Sequence, residues 1–158
     1  MSEANIRRAE NKDIGAIEKL LFEVQKVHSD VRPDLFKAGG KKYTRDELSE
    51  ILADDKRPIF VAEENGEVCG YAFCIHKQFL NSTSLTDIKT LYIDDLCVDK
   101  DARGSHIGTK LYDFVIDYAK KNGYYNVTLN VWADNKSALD FYEHIGLKIQ
   151  KIGMEKIL

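Results

Sequence analysis

Apolar residues in the first part of the chain recur at helical spacing. Ile14, Ile17, Leu20, Leu21, Val24 and Val27 follow Asn11, a residue suited to an N-cap, and predict an amphipathic helix. A short strand over residues 6–9 precedes it, and a loop holding Arg32-Pro33-Asp34 and Gly39-Gly40 follows. Thr44-x-x-Glu47 then has the form of a capping box and opens a second helix through Leu48, Ile51 and Leu52.

Beyond that point the period changes. Apolar runs at 59–63 and 68–75 flank Asn65-Gly66, the pattern of a hairpin with a type I′ turn. The run 91–98 is apolar on both faces apart from Asp94 and Asp95, as in a strand buried in the middle of a sheet. Ile107, Leu111, Phe114, Val115, Tyr118 and Ala119 share one helical face, and Asn122-Gly123 stops that helix. A strand over 127–132, a short helix over 135–144 ended by Gly146 and a final extended stretch complete the chain. The order β-α-α-β-β-β-α-β-α-β predicts an α/β fold with a mixed sheet.

Composition narrows the function classes. At 158 residues, with 44% hydrophobic and 31% charged, the chain suits one folded domain, 1–158, without repeat or linker. The formal net charge of −3 argues against a sequence-independent nucleic-acid partner and favours cationic ligands through long-range steering. No apolar run approaches the ~18 residues of a membrane span, and Met1-Ser2-Glu3-Ala4-Asn5 lacks the apolar core of a signal peptide. A soluble, cytoplasmic protein without a membrane partner is expected. Cys69, Cys74 and Cys97 form no Cys-x-x-Cys, and His28, His76, His106 and His144 lack zinc-ligand spacing, so thiols in a reducing compartment and no metal are expected.

Arg103-Gly104-Ser105-His106-Ile107-Gly108-Thr109 joins the end of the buried strand to the first turn of a helix. Unsatisfied N–H groups and the positive end of the helix dipole suit a phosphate there, and small residues allow close approach. The stretch is not a Walker A loop: Gly104 and Gly108 enclose too few residues, and Thr109-Lys110 reverses the required order. On its own it is equally an ordinary strand-to-helix turn.

Together with two further stretches, this turn resembles the acetyl-CoA-dependent N-acetyltransferases of the GNAT superfamily. One is the strand Tyr92-Ile93-Asp94-Asp95-Leu96-Cys97-Val98; the other is Asn135-x-x-Ala138-x-x-Phe141-Tyr142-Glu143-x-x-Gly146-Leu147. The family's turn reads Gln/Arg-x-x-Gly-x-Gly/Ala; Arg103 and Gly108 match it, and His106 stands at the first glycine, where a helical φ would admit it. The resemblance implies a single-domain GNAT-like α/β fold, a mixed β-sheet with two splayed parallel strands, 91–98 and 127–132, flanked by helices. It implies acetyl-CoA wedged between those strands, its pantetheine arm on the backbone of Leu96, Cys97 and Val98. The diphosphate would meet Arg103, Gly104, Ser105, His106, Ile107, Gly108 and Thr109, with Asn135, Phe141 and Tyr142 as further coenzyme contacts. Members of the family are often dimeric, so a homodimer is among the expectations.

Acetyl transfer to an amine needs a group that removes the ammonium proton, because an alkylamine with a pKa of about 10.4 is charged at neutral pH. Asp94 and Asp95 lie among apolar side chains, where burial and like-charge proximity raise a carboxyl pKa. Strict alternation puts Asp94 with Tyr92, Leu96 and Val98 and Asp95 with Leu91, Ile93 and Cys97, so one of them faces the acceptor; Asp94 is narrowly preferred. An acidic pair satisfied by backbone N–H groups is the alternative. The pattern is similar to the diamine and thialysine acetyltransferase branch, in which acidic residues here handle a cationic amine.

Tyr142 matches the family tyrosine that protonates the coenzyme sulfur, and otherwise packs beside Phe141. Asn135 either contacts the pantetheine arm or caps its helix. Cys97 admits an acetyl-cysteine route, but no base is patterned beside it, and direct transfer is preferred. His28, Arg32 and Asp34 border the expected acceptor site, Asp34 suited to a cation and Arg32 to a carboxylate, or the last two simply pair across the proline turn. The expected activity is acetylation of a small cationic amine. A peptide or protein α-amine is the second option, and a non-catalytic acyl-CoA-binding sensor the option from a different class.

Overall fold

The computed structural model describes residues 4–102 and 106–158. Five strands form one sheet in the order β1-β2-β3-β4-β5: β1 (Asn5–Arg8), β2 (Ile59–Glu64), β3 (Glu67–Lys77), β4 (Thr90–Val98) and β5 (Asn126–Leu129). The first four are antiparallel in turn, and β5 runs parallel to β4, so the chain is a single α/β domain with a mixed sheet. Helices α1 (Ile14–Val31) and α2 (Arg45–Leu52) lie before β2, α3 (Ile107–Lys121) links β4 to β5, and α4 (Lys136–His144) follows.

Alternation along the strands divides the core. Ile59, Val61, Tyr71 and Phe73 meet Ile17, Leu20 and Leu21 of α1 and Leu48 and Ile51 of α2. The intervening Phe60, Ala62, Ala72 and Cys74 meet Ile107, Leu111, Val115 and Ala119 of α3. Helices α1 and α2 therefore cover one sheet face and α3 the other, each with an apolar stripe, as their sequence period requires. At the hairpin, Asn65 and Gly66 both take positive φ, 54° and 79°, as a type I′ turn demands. Thr44 caps α2 as expected, its side chain accepting from the Glu47 N–H at 3.2 Å.

Three features depart from the sequence-based expectation. Asn11 does not cap α1; residues Asn11–Asp13 form a 3-10 turn, and the Glu10 N–H is satisfied by the Asp13 carboxylate at 2.8 Å. Strand β5 stops at Leu129, short of 132, because it parts from β4 there. The final stretch, 147–158, forms neither strand nor helix, and pairs with no strand of this chain among the described residues.

Asp13 is a buried carboxylate, only 4% exposed, held bidentately by Arg7 at 2.8 and 2.9 Å, while Arg7 Nε donates to Glu63 at 3.0 Å. It thereby ties β1, β2 and the start of α1 together. The hydrogen bonds from Arg7 hold the Asp13 pKa below the ordinary carboxylate value of 3.8, against the burial that raises it. Stability from this pair is therefore present above the ordinary carboxylate range and lost as pH falls through the depressed value. Asp13→Asn is expected to cost about 2–3 kcal/mol at pH 7, with the deficit shrinking in acid, as measured by urea unfolding at pH 7 and pH 3.

Candidate active site

Strand β4 carries an extra residue. Phe73 lies opposite Asp95 and Cys74 opposite Ile93, so Asp94 is left over as a bulge. Leu91 and Ile93 face α3, but beyond the bulge Leu96 and Val98 take that side and Cys97 faces α1 and α2. Both aspartates consequently point to the α1 and α2 face, which corrects the expectation that alternation would separate them. Their partners differ. Asp94 accepts from Tyr43 Oη at 2.6 Å and pairs with Lys42 Nζ at 2.9 Å. Asp95 accepts from Tyr71 Oη at 2.7 Å.

Burial pushes the Asp95 pKa above its ordinary 3.8; the Tyr71 hydrogen bond and the positive charge of Lys42 oppose this, and Asp94 reinforces it. Tyr71 is fully buried, and desolvation together with Asp95 drives its phenol far above 10, so it donates without ionising. Tyr142 on α4 is pushed up to about 12 by burial and by the fields of Asp95 and Cys97. Asp95, Cys97 and Tyr142 thus form one electrostatic group.

The sheet opens beside this group. Pairing between β4 and β5 runs from Thr90 opposite Asn126 to Ile93 opposite Leu129 and then ends. Residues 94–98 therefore have β3 on one side and no strand on the other among the described residues. Leu96, Cys97 and Val98 lie on that open edge, where a polar linear ligand can take the place of a strand.

Helix α3 begins at the far end of this edge. His106 occupies the N-cap position with φ 61° and ψ 23°, a left-handed conformation rather than the helical φ expected of it, and one that glycine adopts without strain. Ile107, Gly108 and Thr109 form the first turn, whose N–H groups face outward. At Gly108 an added Cβ would stand 3.4 Å from the Phe141 ring, in van der Waals contact, so α4 packs close to this turn. Arg103, Gly104 and Ser105 lie outside the described residues. Asn135 caps α4, accepting from the Ala138 N–H at 3.2 Å.

At the other end of the edge, His28 stacks on Phe36 at 4.8 Å and Phe36 meets Trp132 edge-on at 5.6 Å. With Val27, Val31, Arg32, Asp134 and Asn135 they line a cavity of about 120 Å³. Arg32 holds Asp34 bidentately at 2.9 and 2.8 Å and also Glu155 at 2.7 Å, and Asp34 does not line the cavity. Sequence reasoning missed Tyr43, Lys42, Tyr71, Trp132 and Asp134. Tyr71 was the most accessible of these, since it stands opposite Cys97 on the adjacent strand. Nothing in the sequence signals that the loop before α2 brings Lys42 and Tyr43 to Asp94.

A profile of the acetyltransferase (GNAT) family matches residues 24–147. The chain belongs to that family, whose members use acetyl-CoA as cosubstrate in acyl transfer. It is 32% identical to the uncharacterized N-acetyltransferase YhfO of Bacillus subtilis over 143 residues, 90% of this chain and 88% of YhfO. It is 33% identical to the uncharacterized N-acetyltransferase MJ1207 of Methanocaldococcus jannaschii over 112 residues, 71% of this chain but only 48% of that protein. The crystal structure of a mutant of the BH1408 protein from Bacillus halodurans superposes with a TM-score of 0.92 at 28% identity, covering 98% of this chain and 99% of that one.

Gly70 sets how closely β3 approaches the end of β4. A Cβ there would stand 3.0 Å from the Cys97 carbonyl oxygen and 3.1 Å from Leu111 Cδ1, and neither backbone nor core yields cheaply. Gly70→Ala is expected to lower stability by about 1–3 kcal/mol, read from urea midpoints at unchanged slope.

Proposed function

We propose that this protein acetylates the primary amine of a small cationic molecule, taking acetyl from acetyl-CoA by direct attack in a ternary complex. The observation that carries this reading is the bulge at Asp94, which turns Asp95 and Cys97 together to the α1 and α2 face, in the field of Tyr142 and beside the open edge of β4. In this reading Leu96, Cys97 and Val98 offer backbone groups to the pantetheine arm, and the first turn of α3, from His106 to Thr109, meets the diphosphate. The glycine-like backbone of His106 supports an intact turn over a degraded, sensor-like one.

Asp95, directly or through an ordered water, takes a proton from the acceptor ammonium. The neutral nitrogen attacks the thioester carbonyl carbon, the C–N bond forms and the C–S bond breaks. The departing thiolate takes the Tyr142 phenolic proton, which burial keeps in place until a base of comparable strength appears, and the surplus proton that the attacking nitrogen sheds as the amide forms restores the phenol. Asp94, committed to Lys42 and Tyr43, holds the entrance to α2 instead of acting as base. Cys97 lies beside the edge as a packed side chain, and no covalent acyl-enzyme is needed. A cavity of about 120 Å³ with Asp134 in its wall and a net charge of −3 favour a compact cation over a peptide α-amine.

Free CoA release from saturating acetyl-CoA, measured across polyamines, lysine analogues, aminoglycosides and short peptides, tests the reading. Release stimulated by small diamines above peptides is expected, and a preference for peptides would overturn the acceptor class. Tyr142→Phe is expected to lower kcat by about 10²–10⁴. Asp95→Asn is expected to lower kcat and to abolish the acid limb of the pH profile, which lies above the ordinary carboxylate pKa because the base must be ionised. The raised carboxyl binds its proton more tightly folded than unfolded, so its ionisation costs stability as pH rises through that window. Asp95→Asn is therefore no less stable than the parent at neutral pH. An unchanged pH profile in Asp95→Asn would assign the base elsewhere.

A further inference from the structure

The two carboxylates that share one face of β4 pose an electrostatic problem. Negative charges on neighbouring residues, one of them deep in the protein, oppose each other's ionisation, and a cation beside them relieves the conflict. The structure holds that cation. Lys42 Nζ lies 2.9 Å from Asp94 Oδ2, donates to the Asp94 carbonyl oxygen at 3.5 Å and stands 5.7 Å from the centre of the Tyr43 ring. The Asp94 side chain is only 13% exposed, so solvent and salt screen this pair less than an ordinary surface ion pair.

The seat of Lys42 is fixed from both sides. Lys41 and Arg45 pair with Glu18 of α1, and between them Tyr43 is pinned by its hydrogen bond to Asp94 and by stacking on Phe73 of β3 at 5.4 Å. Phe73 in turn meets Tyr71 edge-on at 4.9 Å, and Tyr71 donates to Asp95. Lys42 therefore stands on a held stretch of backbone, although its own side chain is 42% exposed. The groups facing Asp95 are Tyr71 from β3, Lys42 and Tyr43 from the segment before α2, His28 from α1, Asp94 and Cys97 from β4 itself, and Tyr142 from α4. Burial drives the Asp95 pKa up and Asp94 adds to this, while the Tyr71 hydrogen bond and the positive charges of Lys42 and His28 draw it down.

We propose that Lys42 is a positioning residue for acetyl transfer: seated on Asp94, its ammonium cancels the charge beside Asp95 and leaves Asp95 free to act as the base. This role rests on the reading of Asp95 as base, and it gives the segment before α2 a part in the chemistry that anchoring alone does not. Tyr71 cannot take the same part, because a phenol that stays protonated brings a hydrogen bond but no charge. Lys42 acts on the acceptor's proton only through the two carboxylates. Without its ammonium, the Asp95 anion loses an attraction, the carboxyl keeps its proton to higher pH, and less of the base is ionised at neutrality.

Two readouts on the full chain test this. One is the titration of the Asp95 carboxyl followed by carbon NMR, its signal assigned with Asp95→Asn. The other is kcat/KM against pH, measured with the small diamine that releases most CoA. In Lys42→Met the Asp95 titration is expected to move to higher pH, and the acid limb of kcat/KM to move up with it. Lys42→Arg keeps the charge and is expected to bring both back toward the parent. Lys42→Gln, neutral but polar, is expected to behave as Lys42→Met does, and replaces it should the methionine variant lose its fold by circular dichroism. An Asp95 titration unmoved in the neutral variants would overturn the proposal and make Lys42 a merely structural residue, even where activity falls. Equal displacement in Lys42→Arg would assign the effect to the lysine stem and overturn it as well. A carboxyl titration that moves while the acid limb stays in place would locate the failure in the reading of Asp95 as base, overturning the role in transfer but not the charge matching.

Discussion

Between Ile93 and Asp95, strand β4 holds one residue more than its partner strand requires, and the arrangement of the site follows from that insertion. A regular strand would keep Asp95 in phase with Ile93 and bury it against α3. The extra residue reverses the phase, turns Asp95 to join Asp94 on the side of α1 and α2, and coincides with the point where β5 leaves. Pairing with β5 could not continue across a bulged edge without losing register, so the parting of the strands and the facing of the carboxylates share one geometric cause.

The two carboxylates, though adjacent, are put to different use by their surroundings. Asp94 meets a phenol and an ammonium from the segment leading into α2, so its charge is matched and anchors that segment. Asp95 meets one phenol, Tyr71, and lies deeper, so burial dominates its titration. Separate roles for neighbouring acidic groups arise whenever their environments differ in this way. Tyr71 contributes by position: it cannot ionise in its buried site and so offers Asp95 a fixed donor.

The elements were legible in the sequence wherever a local signal existed. Asn65-Gly66 marked its hairpin, Thr44 and Glu47 marked the start of α2, and the helical period of Ile107, Leu111 and Val115 identified α3. The two aspartates, Tyr142 and the strand edge were also identifiable as candidates. What the sequence hid was non-local. A bulge is a property of two strands in register, and one strand read at period two assigns Asp94 and Asp95 to opposite faces. The pairing of Lys42 and Tyr43 with Asp94 depends on where a long loop lands. The left-handed backbone at His106 carries no signature when the residue is not glycine, and the final segment reads as a strand although it pairs with no strand among the described residues.

Residue-resolved amide hydrogen exchange of β4, with and without saturating CoA, is the most direct test of the central claim that the bulge leaves residues 94–98 as an open edge for the coenzyme. The expected result is new protection of amides within 94–98, with those of 90–93, already paired between β3 and β5, unchanged. CoA binding that leaves the exchange of 94–98 unaltered would contradict it and move the coenzyme to a different part of the molecule.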